Sequence, residues 1–201
     1  MFSKIFPKIH AEGYKFLVIA GIITILFYIF SNFLGLIGLI FTIWVYYFFR
    51  DPDRVIIEND DYLVSPADGE VIVVEEVDGP KELNLENKKF KKISIFMNVF
   101  DCHVNRSPCG GKIEEILYKP GKFFNASLDK ASEDNERNYF KLKDNQNNDI
   151  VLVQIAGLVA RRIVCEANKD QELNQGDRVG MIRFGSRADV YYENYEPLVK
   201  V

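Results

Sequence analysis

Three short stretches carry the side chains best suited to do chemistry. They are Ser65-Pro66-Ala67-Asp68-Gly69, the run NVFDCHVNRSPCGG at 98–111, and RFGSRADVYY at 183–192 near the C-terminus. His103, in the second, is the only histidine outside the N-terminal quarter of the chain, and imidazole is the side chain best suited to general acid–base work near neutral pH. Asp68 is a carboxylate able to orient or charge-stabilise an imidazole, and Ser186 is a hydroxyl that becomes a nucleophile once a base activates it. Each also has a plainer account. Asp68-Gly69 reads as an ordinary turn, Gly185-Ser186 as a turn before the last strand, and a lone histidine near a strand end is often structural. Asp101, Asn105 and Arg106 flank His103 and a Pro-Cys-Gly-Gly turn follows it, so it is expected at a loop edge rather than in a core.

The elements that must position these groups are short β-prone runs separated by Gly, Pro, Asp and Asn. Strands are predicted at Glu70–Val77, Lys92–Met97, Gly111–Tyr118, Asn138–Leu142, Ile150–Ile155, Ile163–Ala167, Arg178–Ile182 and Ala188–Tyr192. The expected fold class is mostly β, α+β at most, with a barrel-sandwich-like soluble domain. The polar stretch Asn125–Arg137 reads as a surface loop or short helix. SPADGEVIVV and NQGDRVGMIRFGS both set an Asp-containing glycine turn beside an apolar strand, as biotinyl and lipoyl carriers do, but the second turn offers Gly and Ser where a carrier needs lysine.

Residues 16–49 contain no charged side chain. As one helix this stretch would run about 50 Å, against a hydrocarbon core of about 30 Å. Ser31 and Asn32 near its middle, then Gly35 and Gly38, favour a helical hairpin over one tilted span or a half-immersed anchor. The segment is too long for a signal peptide and ends in Trp44, Tyr46, Tyr47, Phe48 and Phe49. The division expected is an anchor at 1–50 and a β-rich catalytic domain at 51–201. Lys4, Lys8 and Lys15 precede the apolar run and Arg50 and Arg54 follow it, which puts both ends of a hairpin in the cytoplasm. The expected location is the cell (inner) membrane, with the catalytic domain on the cytoplasmic side. His10 reads as an interfacial or solvated residue.

A net charge of −4 without a basic stripe argues against a nucleic-acid partner. Cys102, Cys109 and Cys165 are odd in number and form no CxxC pair, so neither a disulfide framework nor a metal site is expected.

SPADG, then FMNVFDCHVNRSP, then GDRVGMIRFGSRADVYY, in that order behind an apolar N-terminal segment, resemble the short bacterial and archaeal phosphatidylserine decarboxylases. The resemblance covers essentially the whole chain. It implies a self-cleaving proenzyme in which Ser186 attacks the Gly185 carbonyl, the peptide becomes an ester, and elimination and hydrolysis leave a covalent pyruvoyl group in place of Ser186. The large chain, 1–185, and the small chain, 186–201, would stay in one fold. The substrate amine condenses with the pyruvoyl ketone, carbon dioxide leaves, and the phospholipid product is phosphatidylethanolamine. By the same resemblance Asp68 and a histidine serve Ser186 in processing, His103 serves decarboxylation or reprotonation, and Arg187 is a candidate for the substrate phosphate, against the plainer account of a solvated arginine.

Two departures matter. Longer members carry a second histidine three residues on, where this chain has Arg106, and the cleavage motif is Phe184-Gly185-Ser186-Arg187 rather than LGST. The group that activates Ser186 and the oligomeric state are therefore left open by the sequence. The alternatives are a non-catalytic membrane-anchored barrel-sandwich adaptor and a pyruvoyl decarboxylase of a soluble amino acid, for which the apolar segment would have no use.

Overall fold

A computed structural model describes residues 6–56, 59–124, 126, 134–158, 162–183 and 186–196. The chain divides into two compact units, Met1–Val55 and Ile56–Val201.

The first unit is a pair of packed helices, α1 (Gly13–Phe30) and α2 (Asn32–Phe48). Ser31 breaks the apolar run: its backbone is extended and its hydroxyl accepts from Phe33 N at 3.3 Å, a serine N-cap in position to start α2. Small residues then allow close approach. A Cβ on Gly38 would lie 2.9 Å from Thr24 Oγ1, and Thr24 Oγ1 meets Thr42 Oγ1 at 2.8 Å across the pair. At about 1.5 Å per residue each helix is about 25–27 Å long. Ile22, Ile25, Ile29, Phe30, Phe33 and Ile40 point outward, so the pair is apolar on its outside as well as at its seam, as lipid rather than water demands. By length and composition α1 is able to cross a membrane with Lys15 its one charged residue, and α2 is one residue shorter and has none. His10 is buried rather than solvated, 4% exposed, because its backbone N–H bonds Phe49 O at 2.8 Å at the base of the pair.

The second unit is two antiparallel sheets. The larger has the order β1 (Glu70–Asp78), β2 (Lys89–Met97), β10 (Ser186–Tyr192), β6 (Asp149–Ala156), β5 (Arg137–Asp144), β4 (Gly111–Lys119), β8 (Glu172–Leu173). The smaller has β3 (Val104–Arg106), β9 (Arg178–Ile182) and β7 (Ile163–Cys165). The arrangement is an open sandwich with no closed barrel among the described residues. Its core brings Ile95, Met97, Phe140, Leu152, Ala188 and Val190 of the large sheet against Val179 and Ile182 of the small one. A second cluster covers the outer face, where Leu83 and Leu85 pack on Phe90, Tyr139, Val151 and Val153. Every residue of β6 is therefore buried, which explains why 150–153 is apolar without alternation.

The last strand of the chain lies inside the large sheet. β10 pairs with β2 on one side, Ser186 opposite Met97, and with β6 on the other, Ser186 opposite Ala156. Its period of two points Ser186, Ala188 and Val190 into the sandwich and Arg187, Asp189 and Tyr191 toward the outer cluster.

The polar stretch read as a surface loop or short helix ends differently. Residues 125 and 127–133 lie outside the described residues, but Asn135 is fully buried. Its amide donates to Phe124 O at 2.8 Å and Ala156 O at 2.7 Å and accepts from Phe124 N at 2.8 Å, so it ties the entry to β5 onto the end of β6.

Candidate active site

Ser186 opens β10 and is fully buried. Its neighbours across the ladder are Met97 and Ala156, and its hydroxyl lies 3.8 Å from Met97 Sδ. Gly185 and Phe184, predicted as the residues before the scissile bond and its flank, lie outside the described residues.

Asp68 sits half-buried in the turn that leads into β1. Ser65 Oγ donates to Ala67 O at 2.7 Å to close that turn. Gly69 has φ +151°, and a Cβ there would come within 2.2 Å of Phe96 O; only glycine lets the turn press on the end of β2. Glu70 and Arg187 both take Phe96 as their partner, one from each side of β2. The backbone thus brings Asp68 and Ser186 to the same end of the large sheet.

His103 is not at an exposed loop edge: it is fully buried, between Cys102 and Val104, each 4% exposed. The cause is β3, too short to read in the sequence, which pairs with β9 and draws the preceding residues inward. Ile182 N donates to His103 O at 3.2 Å, so His103 is fastened where the chain leaves β9 for Ser186. Its Nδ1 lies 3.1 Å from Asp101 O. A carbonyl only accepts, so Nδ1 carries the hydrogen and Nε2 is the basic nitrogen of the neutral ring. Asp101 itself caps the loop, its carboxylate accepting from Asn98 N at 2.9 Å.

Arg187 is not solvated. It is 1% exposed, on the face opposite Ser186, and donates through Nε and Nη2 to the two oxygens of Asp189 at 2.6 and 2.8 Å. Bidentate pairing of this kind fixes both side chains. Asp189 borders a cavity of about 370 Å³ together with Glu82, Arg137, Tyr139 and Tyr191. Burial, joined by the nearby Asp189 charge, pushes the Tyr191 hydroxyl well above its usual range.

A second cavity, about 350 Å³ and apolar, runs along Val71, Ile93, Ile95, Val190 and Tyr192 and reaches Ser65 and Pro66 of the Asp68 turn. Ser186 and His103 are not among its walls.

The sequence reading missed a buried polar pair beside Met97, the ladder partner of Ser186. Asn105 and Gln154 are both fully buried, and Gln154 Nε2 donates to Asn105 Oδ1 at 2.9 Å across the sandwich. Asn105 Nδ2 in turn lies 3.6 Å from Met97 Sδ, the sulfur that Ser186 Oγ also faces. A glutamine inside the otherwise apolar run IVLVQIA was the available signal, because a buried amide requires a partner. Arg106 turns away, its Nη1 donating to Gly176 O at 2.9 Å. Among the described residues no cluster of metal-ligating side chains occurs, and all three cysteines are free thiols.

Known proteins place this site in context. The profile of a family described as phosphatidylserine decarboxylase matches residues 41–201. A protein of Pelagibacter ubique named phosphatidylserine decarboxylase proenzyme is 74% identical over 201 residues, covering 100% of this chain and 94% of its own. Proteins of the same name from Cereibacter sphaeroides and Rickettsia typhi are 49% and 50% identical, covering 100% and 94% of this chain and 87% and 82% of theirs.

Proposed function

This chain belongs to the phosphatidylserine decarboxylase family, and from that premise we propose that it splits itself at Gly185-Ser186 and then decarboxylates phosphatidylserine at the bilayer surface. The observation that carries the reading is the position of Ser186: a fully buried hydroxyl at the head of a strand that is paired on both sides. A break before residue 186 would leave residues 186–192 held by β2 and β6, so the new terminus would stay where it was made.

For the split, Ser186 Oγ gives its proton to a base and bonds to the Gly185 carbonyl carbon. The C–N bond opens, the proton passes to the Ser186 nitrogen, and the peptide is now an ester. Loss of the Ser186 α-proton with departure of the Gly185 carboxylate leaves dehydroalanine, and water then releases ammonia. His103 supports this step because its Nε2 is the basic nitrogen, held in that tautomer by Asp101 O. Asp68 is the carboxylate that the turn at 65–69 brings to the same sheet end, and it serves to orient and charge-stabilise the imidazole. Burial excludes water that would hydrolyse the ester early.

Ser186 fits as precursor of a pyruvoyl group, since its ladder partner on β6, Ala156, carries only a methyl side chain. That group supplies a ketone that condenses with the substrate amine and accepts the electron pair released with carbon dioxide. His103 is the residue proposed to carry a proton to the product carbon. The α1–α2 hairpin is proposed as the bilayer anchor, with Lys8, Lys15, Arg50 and Arg54 on the cytoplasmic side. The substrate's acyl chains keep it in the membrane, at about 0.8 kcal/mol per buried CH₂.

The test is incubation of purified protein with phosphatidylserine and, separately, with free serine in mixed micelles, scoring phosphatidylethanolamine and carbon dioxide. Lipid turnover is expected. Turnover of serine alone would overturn the lipid reading.

A further inference from the structure

A chain of three side-chain amides crosses the sandwich and ends at Met97 Sδ, the sulfur that Ser186 Oγ also faces. Asn138 Nδ2 donates to Gln154 Oε1 at 3.3 Å, Gln154 Nε2 donates to Asn105 Oδ1 at 2.9 Å, and Asn105 Nδ2 points to Met97 Sδ at 3.6 Å. Each link gives the next its orientation, so the Asn105 amide is held with its NH₂ toward Met97 Sδ, the ladder partner of Ser186.

Met97 and Gln154 sit on the two strands that flank β10, opposite Ser186 and Ala188 respectively. Touching both, Asn105 spans the face of β10 from which Ser186 projects. It has room to do so because its own cross-strand partner is Gly180, which has no side chain. All of Asn105, Gln154, Met97 and Ser186 are fully buried. A thioether is a poor acceptor, yet two strong donors, the Asn105 amide and the Ser186 hydroxyl, converge on this one sulfur. An amide donor with only a weak acceptor in a dry core is ready for a better one.

We propose that Asn105, oriented by Gln154, is the hydrogen-bond donor that receives the Ser186 oxygen during self-cleavage. As the hydroxyl proton leaves to a base, Oγ exchanges its role as donor to Met97 for that of acceptor from Asn105 Nδ2. The amide neither gains nor loses a proton; it stabilises the charge that appears on Oγ as the proton leaves and that Oγ gives up on bonding to the Gly185 carbon. An amide is no base, so the work is divided. His103 Nε2 takes the proton and Asn105 holds the oxygen, which removes the need for a second imidazole at position 106, where Arg106 is committed to Gly176 O. The inference rests on the self-cleavage proposed above.

The experiment follows chain splitting of freshly made full-length precursor by gel and intact mass. In a chain that also carries Asn138→Leu, so that the third amide is not left without its acceptor, Asn105→Leu with Gln154→Leu replaces both partners by apolar groups of similar volume, a change that costs little stability when no polar group is left alone. The triple variant is expected to melt close to wild type and to split about 100-fold more slowly, the loss typical of one donor to a reacting oxygen. Hydroxylamine, which cleaves esters, is expected not to rescue it, because the ester forms slowly. Splitting at the wild-type rate, or full rescue by hydroxylamine, would overturn the role. Should the triple variant not melt cooperatively, Gln154→Glu asks the same question by pH. The carboxyl introduced at that position donates to Asn105 Oδ1 when protonated, as glutamine does, whereas its ionised form turns the Asn105 amide over, so splitting should slow as pH rises; a profile parallel to wild type contradicts the proposal. A wild-type chain that never splits would instead defeat the underlying reading.

Discussion

Replacing Arg187 alone by leucine should unfold the β unit at a markedly lower temperature, whereas replacing Arg187 and Asp189 together should not. The guanidinium and carboxylate are each 1% exposed and joined by two hydrogen bonds of 2.6 and 2.8 Å. Removing one partner of such a pair strands a buried charge at a cost of about 3–5 kcal/mol. At about 2–4 °C per kcal/mol for a domain near this size, the melting point should drop by about 6–20 °C. Arg187→Met with Asp189→Leu removes both charges and keeps the volume, so it should melt within about 1–2 kcal/mol of wild type. Circular dichroism melts in detergent read both. A single variant that melts within about 3 °C of wild type, or a double variant no better than the single, would refute the argument that the pair is a sealed structural tie of β10. The same double variant also addresses substrate binding: because Arg187 faces away from Ser186, its KM for phosphatidylserine should match wild type. A tenfold rise would return the guanidinium to the headgroup.

Ser186→Ala should leave the chain full-length and inactive, yet melt within about 1 kcal/mol of wild type, since among described residues the hydroxyl's partner is a sulfur 3.8 Å away; gel and calorimetry check both. His103→Ala should abolish phosphatidylethanolamine formation, and unimpaired product would remove the residue from the site. Burial works against ionisation of Asp149, but hydrogen bonds and charges from Lys88 and Lys143 outweigh it and hold the carboxyl below its usual range. Its contribution to stability is therefore complete above the unfolded carboxylate pKa of about 4 and is lost as pH falls through the lower folded value. Asp149→Asn should flatten that acid limb of the melting profile. In the hairpin, cysteines placed at Thr24 and Thr42 should cross-link readily, and adding Gly38→Val should suppress the link because a Cβ there meets Thr24 at 2.9 Å.

Much of the fold was legible because each of the longer strands keeps its own signature. β6 reads as an apolar run broken by Gln154 alone after Ile150, and β1 and β4 end in Gly, Pro or Asp punctuation. The hairpin was legible from Ser31 and the glycines that follow it. What escaped is long-range. Nothing in the order of the strands says that the last one, β10, enters the large sheet between β2 and β6. β3 is three residues long, too short for a period, so the burial of His103 was hidden with it. Asn135 looked solvated because its neighbours are charged, whereas its amide replaces a backbone partner at the end of β6. Arg187 shows the same limit: a charged residue reads as exposed until its carboxylate partner two positions on is seen to share its face of a buried strand. Ser186, Asp68 and His103 were recognisable as motifs, but Asn105 and Gln154, far apart in sequence, become a pair only when the two sheets meet.

The mass of the purified polypeptide, taken under denaturing conditions, tests the central claim most directly. Two chains are expected, one ending at Gly185 and one spanning 186–201 that is lighter than the encoded peptide by one ammonia and is reduced onto a lipid amine by cyanoborohydride. One intact chain with an unmodified serine at 186, in a preparation that nevertheless converts phosphatidylserine, would contradict it.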